Sequence, residues 1–312
     1  MMKAEIDAGV LFCKIAKGHY SWLVLKRKEG WLDFPKGHVE SGESMQSAAL
    51  REAFEETHLH ATLDPFFLYS YSYKVNGRDK TVSMFLAKSY NGKIKVSHEH
   101  EGCLWLSENM LGKLKYESMR LAILAASSYM HKSEEIKSIN RSYAKLAEAT
   151  SWNLSKRFVP GYGNVSASIM LIGQAPGAME DKELKPFVGR SGKLLDELLS
   201  ISGISRSSVY ITSAVQFFPP KNRPPTQQEI EACKPFLLRQ IDVINPKLII
   251  LLGRVAAKAL GFAKHHEGEC ISNSRIYFLA MHPAAAIRIK SNLPKIKMEF
   301  KLLGKCLNKA KA

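Results

Sequence analysis

Glu52, Glu55 and Glu56 stand at i, i+3 and i+4 in the run Arg51-Glu52-Ala53-Phe54-Glu55-Glu56, so on a helix their carboxylates share one face. Crowded anions repel, and such a face is costly unless a hard cation sits among them. Mg²⁺ (or Mn²⁺), which takes oxygen ligands, is the natural occupant. A lone Glu-x-x-Glu-Glu usually marks a solvated acidic helix face. Here it lies behind the glycine-bearing loop Phe34-Pro-Lys-Gly-His-Val-Glu-Ser-Gly-Glu43. A hard cation held on such a face would neutralise anionic oxygens and make a bound water more acidic.

The elements that must position these groups read clearly. Up to about residue 106 the chain is strand-rich: Ala8 to Cys13, Tyr20 to Leu25, Leu68 to Tyr73 and Thr81 to Leu86 carry β-branched and aromatic residues between turn signals. One helix interrupts them, and a helical stretch over roughly 107–149 follows. The Gly/Pro-rich segment Val159-Pro-Gly-Tyr-Gly163 then marks a change of pattern. From there, strands at 168–173, 209–215, 247–253 and 275–281 alternate with helices near 190–202, 226–244, 254–261 and 295–309. That alternation predicts a parallel sheet covered on both faces, with its site at the carboxyl ends of the strands.

With Gly37, Glu43 and the Arg51 to Glu56 run at these spacings, the first half resembles the Nudix hydrolases, which implies metal-assisted hydrolysis of a nucleoside diphosphate linkage, with Glu52, Glu55 and Glu56 as metal ligands, Arg51 orienting their carboxylates through its fork of donors, and all four as catalytic residues. The resemblance places a glycine where His58 stands, so the helix should end on a left-handed His58. Trp31-x-x-Phe-Pro-Lys-Gly-His-Val, Tyr73 ahead of Lys80-Thr-Val82, and Ser97-His-Glu-His100 before Trp105-Leu106 narrow it to the asymmetric diadenosine tetraphosphate hydrolases. This implies that Lys36, Tyr73 and Lys80 contact a polyphosphate and that Glu99 lies near a metal or the attacking water. Lysine charges along the chain of phosphates suit such a substrate. His98 and His100 without a nearby cysteine make a poor zinc site.

The second half resembles the family 4 uracil-DNA glycosylases through Gly173-Gln-Ala-Pro-Gly177, Pro186-Phe-Val-Gly-Arg190, Val209-Tyr-Ile-Thr212, Leu252-Gly-Arg254 and His282-Pro-Ala-Ala285, in that order. The resemblance implies that Phe187 stacks on a flipped base and that His282 hydrogen-bonds the departing base. Two departures matter: Gln174 replaces an acidic residue and Ser213 replaces a base-reading asparagine, so both contact substrate as neutral groups. The family's four-cysteine iron–sulfur cluster keeps only Cys233 here, with Ala149, Trp152 and Phe217 at the other positions, and no cluster is expected. The half therefore reads as a glycosylase of changed specificity, a slow glycosylase, or a DNA-binding module without chemistry.

Charge supports contact with nucleic acid. Residues 151–312 carry 24 Lys+Arg against 11 Asp+Glu, compared with 21 against 18 in residues 1–150, within a formal total of +16. The five cysteines have no metal-ligand spacing and read as reduced thiols, no apolar run reaches a membrane span, and Glu5 and Asp7 interrupt any secretory start. A cytoplasmic protein is expected. The fold class is α/β: residues 1–145 as an α/β/α sandwich with a mixed sheet, and residues 146–312 as a three-layer α/β/α domain with a four-stranded parallel sheet. The expected partners are a nucleotide substrate and DNA, and no membrane. The alternatives are cleansing of damaged triphosphates from the nucleotide pool, or base-excision repair.

Overall fold

The computed structural model describes residues 5–311 apart from 17, 76, 147–153, 273 and 274. The chain forms two compact units, Met1–His131 and Lys132–Ala312.

In the first unit, strands β1 (Glu5–Leu11), β5 (Lys36–His38), β6 (His60–Val75) and β7 (Arg78–Asn91) form a mixed sheet in the order β5-β1-β7-β6, with β1 and β7 parallel. A second sheet joins β2 (Cys13–Ala16), β3 (His19–Arg27), β4 (Leu32–Asp33) and β8 (His100–Ser107). Helix α1 (Met45–Thr57) starts where Ser44 Oγ accepts the Ser47 N–H at 3.1 Å. It ends at His58, whose φ of 58° is left-handed and whose N–H reaches the Phe54 carbonyl at 2.7 Å, as the sequence leads one to expect. Ala48, Ala49 and Ala53 bury α1 against Ala8, Val10 and Phe12. Because side chains alternate along β1, its other face carries Asp7. Small alanines bring the helix close to the sheet, so its glutamates stand next to the β5 loop.

Helix α2 (Glu117–Ala144) runs into the second unit. Its last turns belong there because Tyr143 is fully buried and stacks on Phe236 at 4.5 Å. The units divide within this helix, while the expected boundary at residue 145 lies at its end.

The second unit is built on a six-stranded sheet, in the order β13 (Cys270–Ser272), β14 (Ile276–Ala280), β12 (Leu248–Leu252), β10 (Ile169–Gly173), β11 (Val209–Ser213), β9 (Tyr162–Gly163). Strands β10, β11, β12 and β14 are the expected parallel set. Two short antiparallel edges, β9 and β13, extend it. The helices are α3 (Ala178–Glu183), α4 (Arg190–Ile201), α5 (Gln227–Ile244), α6 (Arg254–Ala259), α7 (Pro283–Arg288) and α8 (Leu293–Lys311). Leu195, Leu198, Ile296 and Phe300 cover one sheet face, and Gln240 of α5 bonds Thr212 on the other. The strands are apolar on both faces for this reason.

No helix among the described residues is long and apolar enough to cross a membrane. Cys13, Cys103 and Cys233 are free, but Cys270 is disulfide-bonded, which corrects the expectation of reduced thiols throughout.

Candidate functional sites

Arg51 organises the first site. Its Nε and Nη2 grip both oxygens of Glu43 at 3.1 and 3.0 Å, Nη1 reaches Glu52 at 2.7 Å and Glu55 at 3.2 Å, and Nη2 also donates to the His38 carbonyl at 2.9 Å. These bonds hold the Glu43 carboxyl below the usual carboxylate range and the guanidinium above its own. A Cβ at Gly37 would overlap the Glu52 carboxylate, so only glycine lets that side chain lie against β5.

Glu56 is not among the partners of Arg51. It is 6% exposed, accepts the Lys36 N–H at 3.0 Å and lies 3.6 Å from His100 Nε2. Burial pushes its carboxyl up to about 7. The three glutamates thus do not converge, and among the described residues no group of three or more His, Cys, Asp or Glu side chains is gathered to hold a metal. Electrostatics explains the splay: Arg51 neutralises Glu52 and Glu55 and leaves Glu56 to a backbone donor. The donor set nevertheless fits a hard cation. Glu56 is a buried carboxyl without a full countercharge, and the buried His100 Nε2 beside it has no hydrogen-bond partner. Glu52, Glu55 and Glu56 would hold the ion.

Lys36, Tyr73 and Lys80 come together on the sheet face away from α1. Tyr73 and Lys80 are cross-strand partners, and Lys36 is paired in register with Gly9 on the neighbouring β1. Each lysine is held by an acid the sequence reading did not single out. Lys36 Nζ lies 2.9 Å from Asp33, and Lys80 Nζ lies 2.8 Å from Asp7, which is 4% exposed. Burial opposes the charge on Lys36, but Asp33 and Asp7 more than restore it, and its ammonium titrates above the usual lysine range. Tyr73 stacks between Tyr71 and Tyr116, and Lys115 lies over both Trp31 and Tyr116. Glu99 is exposed on the turn before β8, and it is His100 that is buried against Glu56.

The second site is a cleft of about 760 Å³ at the carboxyl ends of the parallel strands, lined by Gln174, Phe187, Ser213 and His282 among others. All four of these sequence candidates meet there. Phe187 has a left-handed φ of 53°, a strained conformation for an aromatic residue. Arg206 holds it by donating to the Pro186 and Phe187 carbonyls at 3.2 and 3.0 Å. The Phe187 and His282 rings stack at 5.7 Å. His282 Nδ1 accepts the Ala284 N–H at 3.1 Å, so a neutral imidazole carries its proton on Nε2. Burial, aided by Arg288, pushes His282 down to about 4, which keeps it neutral near pH 7. Sequence reasoning missed Glu180, whose two oxygens accept the Gly177 and Gly189 N–H groups at 3.1 and 3.0 Å and tie both cleft loops together.

Residues 160–311 match the uracil DNA glycosylase superfamily. The Type-4 uracil-DNA glycosylase of Sulfurisphaera tokodaii is 44% identical over 160 residues, covering 46% of this chain and 72% of that protein. The chain belongs to the uracil-DNA glycosylase superfamily. That of Saccharolobus solfataricus is 43% identical over 157 residues, 46% of this chain and 73% of its own length. Residues 6–125 match the NUDIX domain, so a Nudix domain is fused ahead of the glycosylase domain. Among solved structures, an Ap4A hydrolase binary complex from C. elegans aligns with 41% of this chain and 98% of its own, at 26% identity and a TM-score of 0.39.

A four-cysteine cluster does not fit this glycosylase domain. Ala149 and Trp152 lie outside the described residues and are not ligands by type, and Phe217 fills the third position, fully buried. Cys233 is buried beside Tyr143, with its thiol pushed up to about 12 by burial. Tyr143, Phe158 and Phe217 pack ring against ring at 5.1 to 5.6 Å. Aromatic contacts of this kind hold the region together without metal.

Proposed function

We propose that the Nudix domain hydrolyses dinucleoside polyphosphates such as diadenosine tetraphosphate, with Mg²⁺ or Mn²⁺, asymmetrically. The observation that carries this reading is the pair of aspartate-held lysines, Lys36 on Asp33 and Lys80 on Asp7, beside the Tyr73 and Tyr116 stack. A bound divalent ion would neutralise phosphate oxygens and supply a more acidic water. The protein's own groups do the positioning. Arg51 fixes Glu52 and Glu55, the Lys36 N–H fixes Glu56, and the two ammonium groups meet the phosphates farther along the chain. The exposed Tyr73–Tyr116 stack, with half-buried Trp31 beside Lys115, offers an aromatic surface against which a nucleobase can pack. A panel of dinucleoside polyphosphates and deaminated or oxidised triphosphates, assayed on the full chain with Mg²⁺, tests this. The tetraphosphate should have the highest kcat/KM; a damaged triphosphate preferred by about tenfold or more would favour nucleotide-pool cleansing instead.

For the glycosylase domain we propose binding of DNA through its basic surface and excision of a deaminated base. The neutral His282, with Nε2–H free to donate in the cleft, supports chemistry over mere binding. Lys221 and Arg288 line the cleft and suit phosphates, whereas Arg223 is committed to Glu229 at 2.9 and 2.7 Å. Duplexes carrying uracil, hypoxanthine or xanthine should yield abasic product; intact duplexes with tight, salt-sensitive binding would reduce this domain to a binding module.

A further inference from the structure

We propose that Glu267 is the carboxylate that serves the attacking water in the glycosylase cleft, an inference that rests on the excision reading above. Hydrolysis of a glycosidic bond needs a group that takes a proton from water and one that tolerates positive charge building on the sugar. A single carboxylate meets both needs. The first motif cannot supply it, since Gln174 and Ala175 are neutral, as is Ser213 at the end of β11.

Two carboxylates line the cleft, Glu180 and Glu267. Glu180 is committed, because each of its oxygens accepts a backbone N–H from a cleft loop. Glu267 is not. Its one polar side-chain contact among the described residues is Lys295 Nζ, 3.2 Å from Oε2, and Oε1 remains available.

Its place is fixed at the His282 end of the cleft. The next residue, Gly268, donates to the Leu279 carbonyl at 2.7 Å near the end of β14, the strand that leads directly to His282. Behind it, buried Glu299 holds the Met281 N–H at 2.8 Å, just before His282. Glu267 also lines an adjoining cavity of about 230 Å³. Each water occupies roughly 30 Å³, so several could reach the carboxylate from there.

The step balances as follows. The water oxygen bonds to C1′ of the sugar as the bond from C1′ to the base nitrogen breaks, and the electron pair leaves with the base. A base oxygen carrying that charge accepts a hydrogen bond from His282 Nε2–H. The water's proton passes to Glu267 and returns through solvent to the base nitrogen.

The test is single-turnover cleavage of uracil-, hypoxanthine- and xanthine-containing duplexes by the full chain, with DNA affinity and melting temperature measured alongside. Glu267→Gln should slow cleavage at least about a hundredfold with affinity and melting unchanged, and Glu267→Asp should recover part of the rate. Lys295→Ala should stay close to wild type. Wild-type cleavage by Glu267→Gln would overturn the assignment, as would an equal loss in Lys295→Ala, which would reduce Glu267 to an anchor for Lys295. If the wild-type chain cleaves none of these duplexes, the excision reading itself fails and takes this assignment with it.

Discussion

Arg51 binds both oxygens of Glu43 in a two-pronged contact, and with the same guanidinium it reaches Glu52 and Glu55. One planar group therefore sets the loop and the acidic helix face together, a task that lysine's single ammonium cannot perform. Arg51→Lys should fold normally yet lose about 10- to 100-fold in Nudix turnover, the usual cost of losing a group that orients metal ligands. Steady-state kinetics on the full chain, with circular dichroism as a folding control, checks this.

Gly37→Ala probes the same geometry from the strand side. The added Cβ would overlap the Glu52 carboxylate and force that side chain off β5. Turnover should fall by about a hundredfold, the scale expected when a reacting group is misplaced by an ångström. The melting temperature should change little, because Glu52 can rotate outward.

The buried neutral His282 gives the glycosylase domain a defined acid sensitivity. Its folded value of about 4 lies below the ordinary histidine value of 6.5. Above 6.5 neither state is protonated and the group contributes full stability. Between 6.5 and 4 the unfolded chain takes up a proton that the folded one refuses, so stability is lost as pH falls, by at most about 3 kcal/mol. Urea denaturation across this window should show the loss in wild type and a flatter curve for His282→Gln.

The aromatic cluster around Cys233 makes its own prediction. Tyr143 Oη accepts the buried Gln216 N–H at 3.2 Å, so Tyr143→Phe should destabilise the domain by about 1 to 3 kcal/mol through the unpaired donor. Phe217→Ala should cost about 3 to 5 kcal/mol by opening a cavity. Added iron and sulfide should rescue neither variant in thermal denaturation, because the thiolate ligands are missing.

Much of this was legible in the sequence because the signals are local. The spacing of Glu52, Glu55 and Glu56 marks a helix face, His58 stands where a left-handed exit is needed, and the four parallel strands announce themselves as apolar runs. Gln174, Ser213 and His282 lie far apart in sequence but each sits at a strand end, so the parallel topology gathers them, whereas Phe187, in the loop between α3 and α4, was marked by the family resemblance alone. What escaped depends on contacts across elements. Asp7 meets Lys80 only because β1 and β7 run side by side, and His100 meets Glu56 only because β8 returns beside the helix. The edges β9 and β13, two and three residues long, carry too little pattern to be seen. The splay of the glutamates could not be foreseen either, since it depends on which carboxylates Arg51 can reach.

The most direct measurement is the rate at which the full chain cleaves diadenosine tetraphosphate with and without Mg²⁺, compared with its Glu56→Gln and Glu55→Gln variants. Metal-dependent turnover is expected in wild type, with a loss of at least about a hundredfold in each variant. Turnover in the variants equal to wild type, or no cleavage by the wild-type chain in the presence of Mg²⁺ or Mn²⁺, would contradict the proposed function.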